Sequence, residues 1–328
     1  MADFKALITE EVDGKYVSSI KTRSTDDLPA GDVLINVKFS SLNFKDALSS
    51  IGNKGVTRNY PHTPGIDAAG VVAESASPDF KKGDEVIVTG YDLGMNTSGG
   101  YGEYIRVPAG WVVKKPEGLS LRETMIYGTA GFTAALSVIK LLDHGVTPDK
   151  GPVLVTGSTG GVGSVAVAML AKLGFRVTAV TGKAEKADFL KTLGAAEVIG
   201  RDAAMDDGKR PMLKGIYAGV VDTVGGSILG TALKTTAYGG AVTTCGLTQS
   251  PELLTTVFPF ILRGISLLGV DSVELPLEVK KATWKRISSD LKLSNLEELA
   301  VDVPLEKITD YFPQILKGGL AGRVVVKI

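Results

Sequence analysis

Short apolar runs separated by Gly, Pro and Asp mark the first part of the chain. Residues 4–9, 32–40, 68–74, 85–89 and 102–107 read as strands, so this part is expected to form an irregular β-rich domain. From about Leu121 the period changes. An apolar stretch at helical spacing, 122–142, is followed by strand-like runs beginning at Val153 and covering 175–180, 197–199, 219–222, 240–245 and 266–269, with helical segments between them. Six strands joined by crossovers predict a doubly wound parallel sheet, an α/β architecture. A helix around 277–291 and a last strand at 323–327 close the chain, and the returning strand pattern predicts that the tail rejoins the first domain. The expected division is therefore a β-rich domain of residues 1–125 and 273–328 and a sheet domain of 126–272. No internal repeat or low-complexity tract is present.

The most informative stretch follows the first strand of the sheet domain. Gly157, Gly160 and Gly163 stand at G-x-x-G-x-x-G spacing between the apolar Val153-Leu154-Val155 and the apolar helix that begins near Ser164. Glycines so spaced let the chain turn off a strand, let the backbone approach a pyrophosphate and let the helix pack on the sheet, with free N–H groups facing the phosphates. Glycine accounts for 40 of 328 residues, so the spacing carries weight only because the strand, helix and second strand of a βαβ unit surround it. The end of the second strand selects the dinucleotide. An NAD site usually has Asp or Glu there for the ribose 2′-hydroxyl; this chain has Thr181-Gly182-Lys183. A hydroxyl, open backbone and a cation suit a 2′-phosphate, with Lys186 and Arg201 adding charge, and the expected cofactor is NADP(H). The alternative is that Lys183 and Lys186 are solvated lysines opening a helix.

With 44% hydrophobic and 22% charged residues, the chain can bury a core of two domains. Its 36 basic and 36 acidic side chains cancel, so no electrostatic footprint for nucleic acid or an anionic membrane is expected. The N-terminus lacks a basic segment followed by a long apolar run, and no uninterrupted apolar stretch reads as long enough to span a bilayer, which points to a cytoplasmic protein. Cys245, the single cysteine, excludes intramolecular disulfides. A catalytic zinc needs converging Cys, His and carboxylate ligands. Here Cys245 stands far from His62 and His144, the two histidines, which are expected to be surface or turn residues, and no metal site is predicted.

Several motifs carry a resemblance that covers essentially the whole chain. They are Ser41-Leu42-Asn43-Phe44-Lys45-Asp46, Pro64-Gly65-Ile66-Asp67-Ala68-Ala69-Gly70, Tyr127-Gly128-Thr129-Ala130-Gly131-Phe132-Thr133-Ala134, Phe258-Pro259-Phe260-Ile261-Leu262-Arg263-Gly264 and Leu268-Gly269-Val270-Asp271-Ser272. With these the chain resembles the medium-chain dehydrogenase/reductase superfamily, in its zinc-free branch of acrylyl-CoA reductases and quinone oxidoreductases. The resemblance implies a GroES-like catalytic domain joined to a Rossmann domain. It implies that Thr159, Gly160, Gly161 and Val162 line the pyrophosphate, and that Thr181, Gly182 and Lys183 with Arg201 take the adenosine phosphate. Thr129 and Thr133 would lie near the ribose or nicotinamide, Leu247 and Ile261 would cover the ring, and Ser272 and Arg323 would approach the nicotinamide and pyrophosphate. Each has a plainer alternative: back-bonding for the threonines, core packing for Leu247 and Ile261, a surface ion pair for Arg323. Zinc relatives carry Gly-His-Glu where this chain has Gly65-Ile66-Asp67.

Without a Lewis acid, a substrate must bring its own electron sink. An α,β-unsaturated carbonyl accepts hydride at its β-carbon and gathers charge on oxygen, and a quinone does the same chemistry. The expected activity is reduction of a short enoyl-CoA such as acrylyl-CoA, with quinone reduction as runner-up and a non-catalytic NADPH-binding sensor as the reading from another class. Relatives commonly have Tyr where this chain has Phe44, so this position packs on the nicotinamide but donates no proton. Proton delivery is expected from solvent, a ribose hydroxyl, Tyr91 or Tyr101, and no catalytic acid is assigned. Asp46 is expected to cap locally or to pair with Lys45 or an arginine. Lys45, Lys54 and Arg58 are candidate cations for the phosphates of coenzyme A. The substrate is expected in the cleft between the domains. A homodimer is expected, paired through the apolar edge 266–270.

Overall fold

The structure, a computed structural model, describes residues 2–208 and 210–328. The chain divides into two compact units: one of the residues up to Thr129 with Val273–Ser289 and Leu296–Ile328, the other of Ala130–Ser272 with Asp290–Asn295. This differs from the expected division by residues 126–129 of the long helix that follows and by Asp290–Asn295, a short excursion on which the Lys292 carbonyl accepts a bond from Lys172 Nζ.

In chain order the first unit begins with β1 Asp3–Val12, β2 Lys15–Ser24, β3 Val33–Ser41, α1 Phe44–Ser50, β4 Asp67–Ser75, β5 Glu85–Thr89, β6 Tyr104–Val107 and β7 Val112–Lys114. Helix α2, Leu121–Asp143, leads on to β8 Val153–Val155, α3 Gly161–Lys172, β9 Val177–Thr181, α4 Ala187–Thr192, β10 Glu197–Gly200, β11 Tyr217–Asp222, α5 Gly226–Thr235, β12 Thr236–Thr244, α6 Phe258–Arg263 and β13 Ser266–Gly269. The chain ends with α7 Leu277–Ile287, β14 Ala300–Pro304, α8 Phe312–Leu316 and β15 Arg323–Lys327.

In the first unit β1 and β2 form a hairpin, and seven strands form a sheet in the order β14-β15-β3-β4-β5-β7, with β6 also paired to β3. The tail does return, as β15 pairs antiparallel to β3. Alternation along β3 explains its central place. Val33, Ile35 and Val37 pack on one side with Val72, Val86, Val88 and Ile105, while Leu34 on the other joins Phe4, Ala6, Ile8 and Leu28.

The second unit is a six-stranded parallel sheet in the order β10-β9-β8-β11-β12-β13. Its order reverses between β8 and β11, the switch point at which open α/β sheets bind ligands beyond the strand ends. Val153, Leu154 and Val155 of the central strand are fully buried, as expected for a parallel strand covered on both faces.

Helix α2 corrects one expectation. It is long and apolar enough to cross a bilayer, although most of that stretch is buried within the protein, as in a core helix. It is also interrupted at Gly128, where φ is 51° and ψ is −160°.

Candidate active site

The second unit gathers the nucleotide-binding candidates around the end of β8. Gly157 has φ +59° in the turn, and Gly160 precedes the first turn of α3. A Cβ on Gly163 would lie 2.3 Å from the Gly157 carbonyl oxygen. The third glycine therefore fixes the approach of helix to strand, while Gly160, Gly161 and Val162 remain partly open at the helix N-terminus.

Beside this turn, Thr159 Oγ1 lies 3.3 Å from Thr181 Oγ1, and Thr181 Oγ1 accepts the Lys183 N–H at 3.0 Å. Arg201, just after β10, lays its guanidinium against Gly182, where an added Cβ would meet Nε at 2.5 Å. Burial holds Lys183 below its ordinary value; Lys186 and Arg201 push the same way, and Glu185 opposes. Cations crowded at a strand end favour an anionic ligand, which would relieve their repulsion. Thr159, Thr181, Gly182, Lys183 and Arg201 thus come together as one cradle.

Elsewhere in this unit Thr133 Oγ1 donates to Ser272 Oγ at 2.9 Å, so these two candidates also meet. Leu247, 65% exposed, lines a pocket of about 610 Å³ at the ends of β12 and β13 together with Cys245, Leu253 and Val270. Ile261, 68% exposed on α6, does not line it. Cys245 is pushed up to about 12 by burial and by the neighbouring Asp222, so it is not a thiolate nucleophile.

In the first unit Phe44 opens α1 and is 41% exposed, while the residues behind it form a buried polar network. Asp67 accepts from Ser41 Oγ at 2.5 Å, Asn43 Nδ2 at 2.8 Å, Thr129 N at 2.9 Å and Thr129 Oγ1 at 2.5 Å. Thr129 therefore spends its hydroxyl on Asp67, restarting α2 after the Gly128 break. That break has no alternative to glycine. Its φ is left-handed, and a Cβ would meet Ser41 Oγ, Asp67 Oδ2 and the Arg323 guanidinium within 2.8 Å.

Four expectations are corrected here. Arg323 is buried, with Nε donating to the Ile126 carbonyl and the terminal nitrogens directed at the Leu42 carbonyl and Ser41 Oγ. It ties β15 to α1 and α2 from inside the unit, so it is not a surface ion pair, and its guanidinium is engaged with the protein. Asp46 does cap α1, accepting from Asn43 N at 2.8 Å, but its other partners are Ile66 N and the Tyr101 hydroxyl, not Lys45. Burial first, and then the charge of Asp67, raise Asp46 to about 7. Tyr101 is fully buried against Asp46 and the Ser41 carbonyl, and burial raises it well above its ordinary value, so it is not a proton donor to a bound ligand. Tyr91 is half-buried and its hydroxyl donates to the Leu275 carbonyl at 3.0 Å. His62 is buried rather than superficial, because its backbone bridges to Thr9 and its Nε2 lies 2.9 Å from the Gly94 carbonyl; His144 is exposed just after α2.

The network of Ser41, Asp67 and Arg323 was not predicted. Its signal was a carboxylate inside the otherwise apolar Ile66-Asp67-Ala68-Ala69, since such residues are buried only when partnered. Among the described residues, no three His, Cys, Asp or Glu side chains converge to hold a metal ion.

Comparison with known proteins follows the same lines. Residues 29–117 match the alcohol dehydrogenase GroES-like domain family, and residues 161–289 the family described as zinc-binding dehydrogenase. Acrylyl-CoA reductase AcuI of Ruegeria pomeroyi is 46% identical over 99% of both chains. YhfP of Bacillus subtilis, named provisionally as a quinone oxidoreductase, is 49% identical over 99% of both; its structure with NAD bound superposes with a TM-score of 0.97 over the full length of each chain. The yhdH oxidoreductase of Salmonella enterica, solved in complex with NADP, superposes with a TM-score of 0.96 at 45% identity over 99% of both.

Proposed function

Since the chain belongs to the medium-chain dehydrogenase/reductase superfamily of oxidoreductases, we propose that it is an NADPH-dependent, metal-independent reductase of α,β-unsaturated acyl thioesters, with acrylyl-CoA as the type substrate. The observation that carries the cofactor choice is the cradle at the ends of β9 and β10, in which Thr181, Lys183 and Arg201 surround the place where an NAD site carries a carboxylate. The glycine turn, with α3 held close by Gly163, fits a pyrophosphate. When bound, NADPH supplies the hydride.

The chain's own residues hold and orient. Within the second unit the α3 N-terminus and Thr159 receive the pyrophosphate, Lys183 and Arg201 hold the 2′-phosphate, the Thr133–Ser272 pair marks the nicotinamide end, and Leu247 offers an exposed apolar side chain to the ring; in the first unit Phe44 offers another. Zinc does not fit the donor set: among the described residues no three His, Cys, Asp or Glu side chains converge, and His62 Nε2 is engaged with the Gly94 carbonyl. The substrate therefore supplies its own electron sink, and charge gathers on the thioester oxygen. With the Tyr101 hydroxyl committed to the interior and that of Tyr91 donated to the Leu275 carbonyl, the proton comes from a ribose hydroxyl or solvent. The provisional quinone assignment of the B. subtilis relative supports quinone reduction as a second reading.

The deciding experiment follows nicotinamide absorbance with purified protein, offering acrylyl-CoA and a small quinone with NADPH and then NADH. Turnover of acrylyl-CoA with NADPH, and little of the quinone, supports the proposal. Quinone turnover alone supports the second reading, and NADPH binding without turnover of either points to a sensor.

A further inference from the structure

We propose that an open pocket of about 440 Å³ in the first unit takes the phosphorylated adenosine end of a coenzyme A thioester, an inference that rests on the acyl-thioester reading above. The pocket lies where the chain leaves α1 and meets the end of the β1–β2 hairpin. Its cations are Lys54 and Arg58, two of the three singled out in the sequence; Lys45 does not line it.

The Lys54 ammonium sits 4.8 Å from the Tyr60 ring centre and 5.6 Å from that of Tyr16, and it donates to the Arg58 carbonyl at 3.2 Å. It is thus held in place by two rings rather than neutralised by a carboxylate. Arg58 is exposed, and its guanidinium makes no ion pair among the described residues. One cation held in place and a second exposed beside it, neither in an ion pair among the described residues, suit a phosphate monoester beside a diphosphate.

The remaining walls suit the nucleoside. Tyr60, Pro61 and Val12 offer apolar surface for a purine. The two carboxylates on the rim are already engaged, Glu10 with Lys21 and Glu11 with the Tyr16 hydroxyl at 3.0 Å, and their free lone pairs can accept from an exocyclic amine or ribose hydroxyl. The volume lies within the usual range for small-molecule sites.

Distance supports the same ligand. Helix α1 runs from Phe44, assigned above to the reacting end, to Ser50, a rise of roughly 9 Å at about 1.5 Å per residue, and Lys54 follows in the next turn. An extended phosphopantetheine arm covers that span, whereas a quinone or free enone does not reach it.

The test compares acrylyl-CoA with the acrylyl thioester of N-acetylcysteamine, which keeps the reacting end and lacks the nucleotide. Arg58→Glu, an exposed substitution, is expected to lower the ratio of kcat/KM for the CoA ester over the truncated ester about ten-fold, by raising KM for the CoA ester. Charge reversal at the remote exposed Lys82, Lys82→Glu, should leave the ratio as in the wild type. Independently of turnover, calorimetric titration of the NADP-saturated protein with adenosine 3′,5′-bisphosphate should give binding heat that Arg58→Glu abolishes. If both esters are turned over and the ratio and heat are the same in Arg58→Glu as in wild type, the pocket assignment is wrong while the acyl-thioester reading stands. If the wild type turns over neither ester, the reading itself fails and the pocket proposal falls with it.

Discussion

Replacing Lys183 by Ala separates the two nicotinamide cofactors. The side chain follows the Thr181–Gly182 turn and shares its surroundings with Lys186 and Arg201, whose charges and the burial of the site hold it below its ordinary value. Bringing a 2′-phosphate into that cluster reverses the sign of the local interaction. One unit-charge pair at about 4 Å is worth roughly 1 kcal/mol in water and roughly 4 kcal/mol in a partly desolvated surface site. Lys183 is half-buried and Arg201 exposed, so the lower part of that range applies. Lys183→Ala should thus lose about 1 to 2 kcal/mol with NADPH, a rise in KM of about ten-fold. NADH lacks the phosphate, so its KM should hold. Because the ammonium starts below its ordinary value, the wild-type preference for NADPH should also decline on the alkaline side sooner than a solvated lysine would predict, and that decline should be missing in the alanine variant. The assay is steady-state kinetics with each cofactor at saturating acceptor. An equal rise for NADPH and NADH would refute the phosphate role and assign Lys183 to a part common to both cofactors, whereas no rise for either would leave it a solvated lysine opening a helix.

Asp46 is raised from 3.8 to about 7, so between those values the folded state holds a proton that the unfolded state has released. Its contribution is present in full below about pH 4 and is lost as pH rises through 7; Asp46→Asn should flatten the decline of Tm across that window, and an unchanged slope would assign the decline to other groups. His62 runs the other way, since burial lowers its value from 6.5: its stabilisation is present above that value and is lost as pH falls, and His62→Gln should weaken the acid-side loss of Tm. Gly163→Ala, which puts a Cβ 2.3 Å from a backbone carbonyl, should lower Tm and NADPH affinity together, whereas Gly160→Ala meets only one contact at 3.3 Å and should disturb both far less. Dialysis against a strong chelator should leave activity intact, and stoichiometric zinc on elemental analysis would overturn the metal-independent reading. A charge at Leu268, on the edge strand β13, should shift gel-filtration elution toward monomer if copies pair there; no shift would place the contact elsewhere.

What could be read from the chain follows from the range of the forces involved. The second unit was legible because its central parallel strands β8, β9 and β11 are buried and show as dense apolar runs, and because the glycine turn needs its spacing for steric reasons confined to a few residues. Strand β2 was not legible: Lys15–Ser24 is partly exposed throughout, so no apolar face announces it. The Asp13-Gly14 turn, with both residues at positive φ, was the available hairpin signal. Strands β7 and β14 were missed because three to five residues hold too little pattern, and their place in the sheet is set by partners distant in sequence.

The same distinction separates the two halves of the candidate site. The nucleotide cradle is assembled by consecutive strand ends, so residues 159, 181 to 183 and 201 were nameable before their positions were known. The network behind Phe44 draws Ser41, Asp67, Gly128 and Arg323 from four separate elements, and only folding brings them within hydrogen-bond distance. That is why the partners of Arg323 inside the protein were not foreseen. A lone arginine in a C-terminal strand looks available until the carbonyls of Leu42 and Ile126 are found to occupy it. Through this buried arginine, β15 fixes the break in α2 at Gly128 and the start of α1 at once. A truncation before Arg323 should therefore disturb Phe44 and Thr129 together rather than fray a free end.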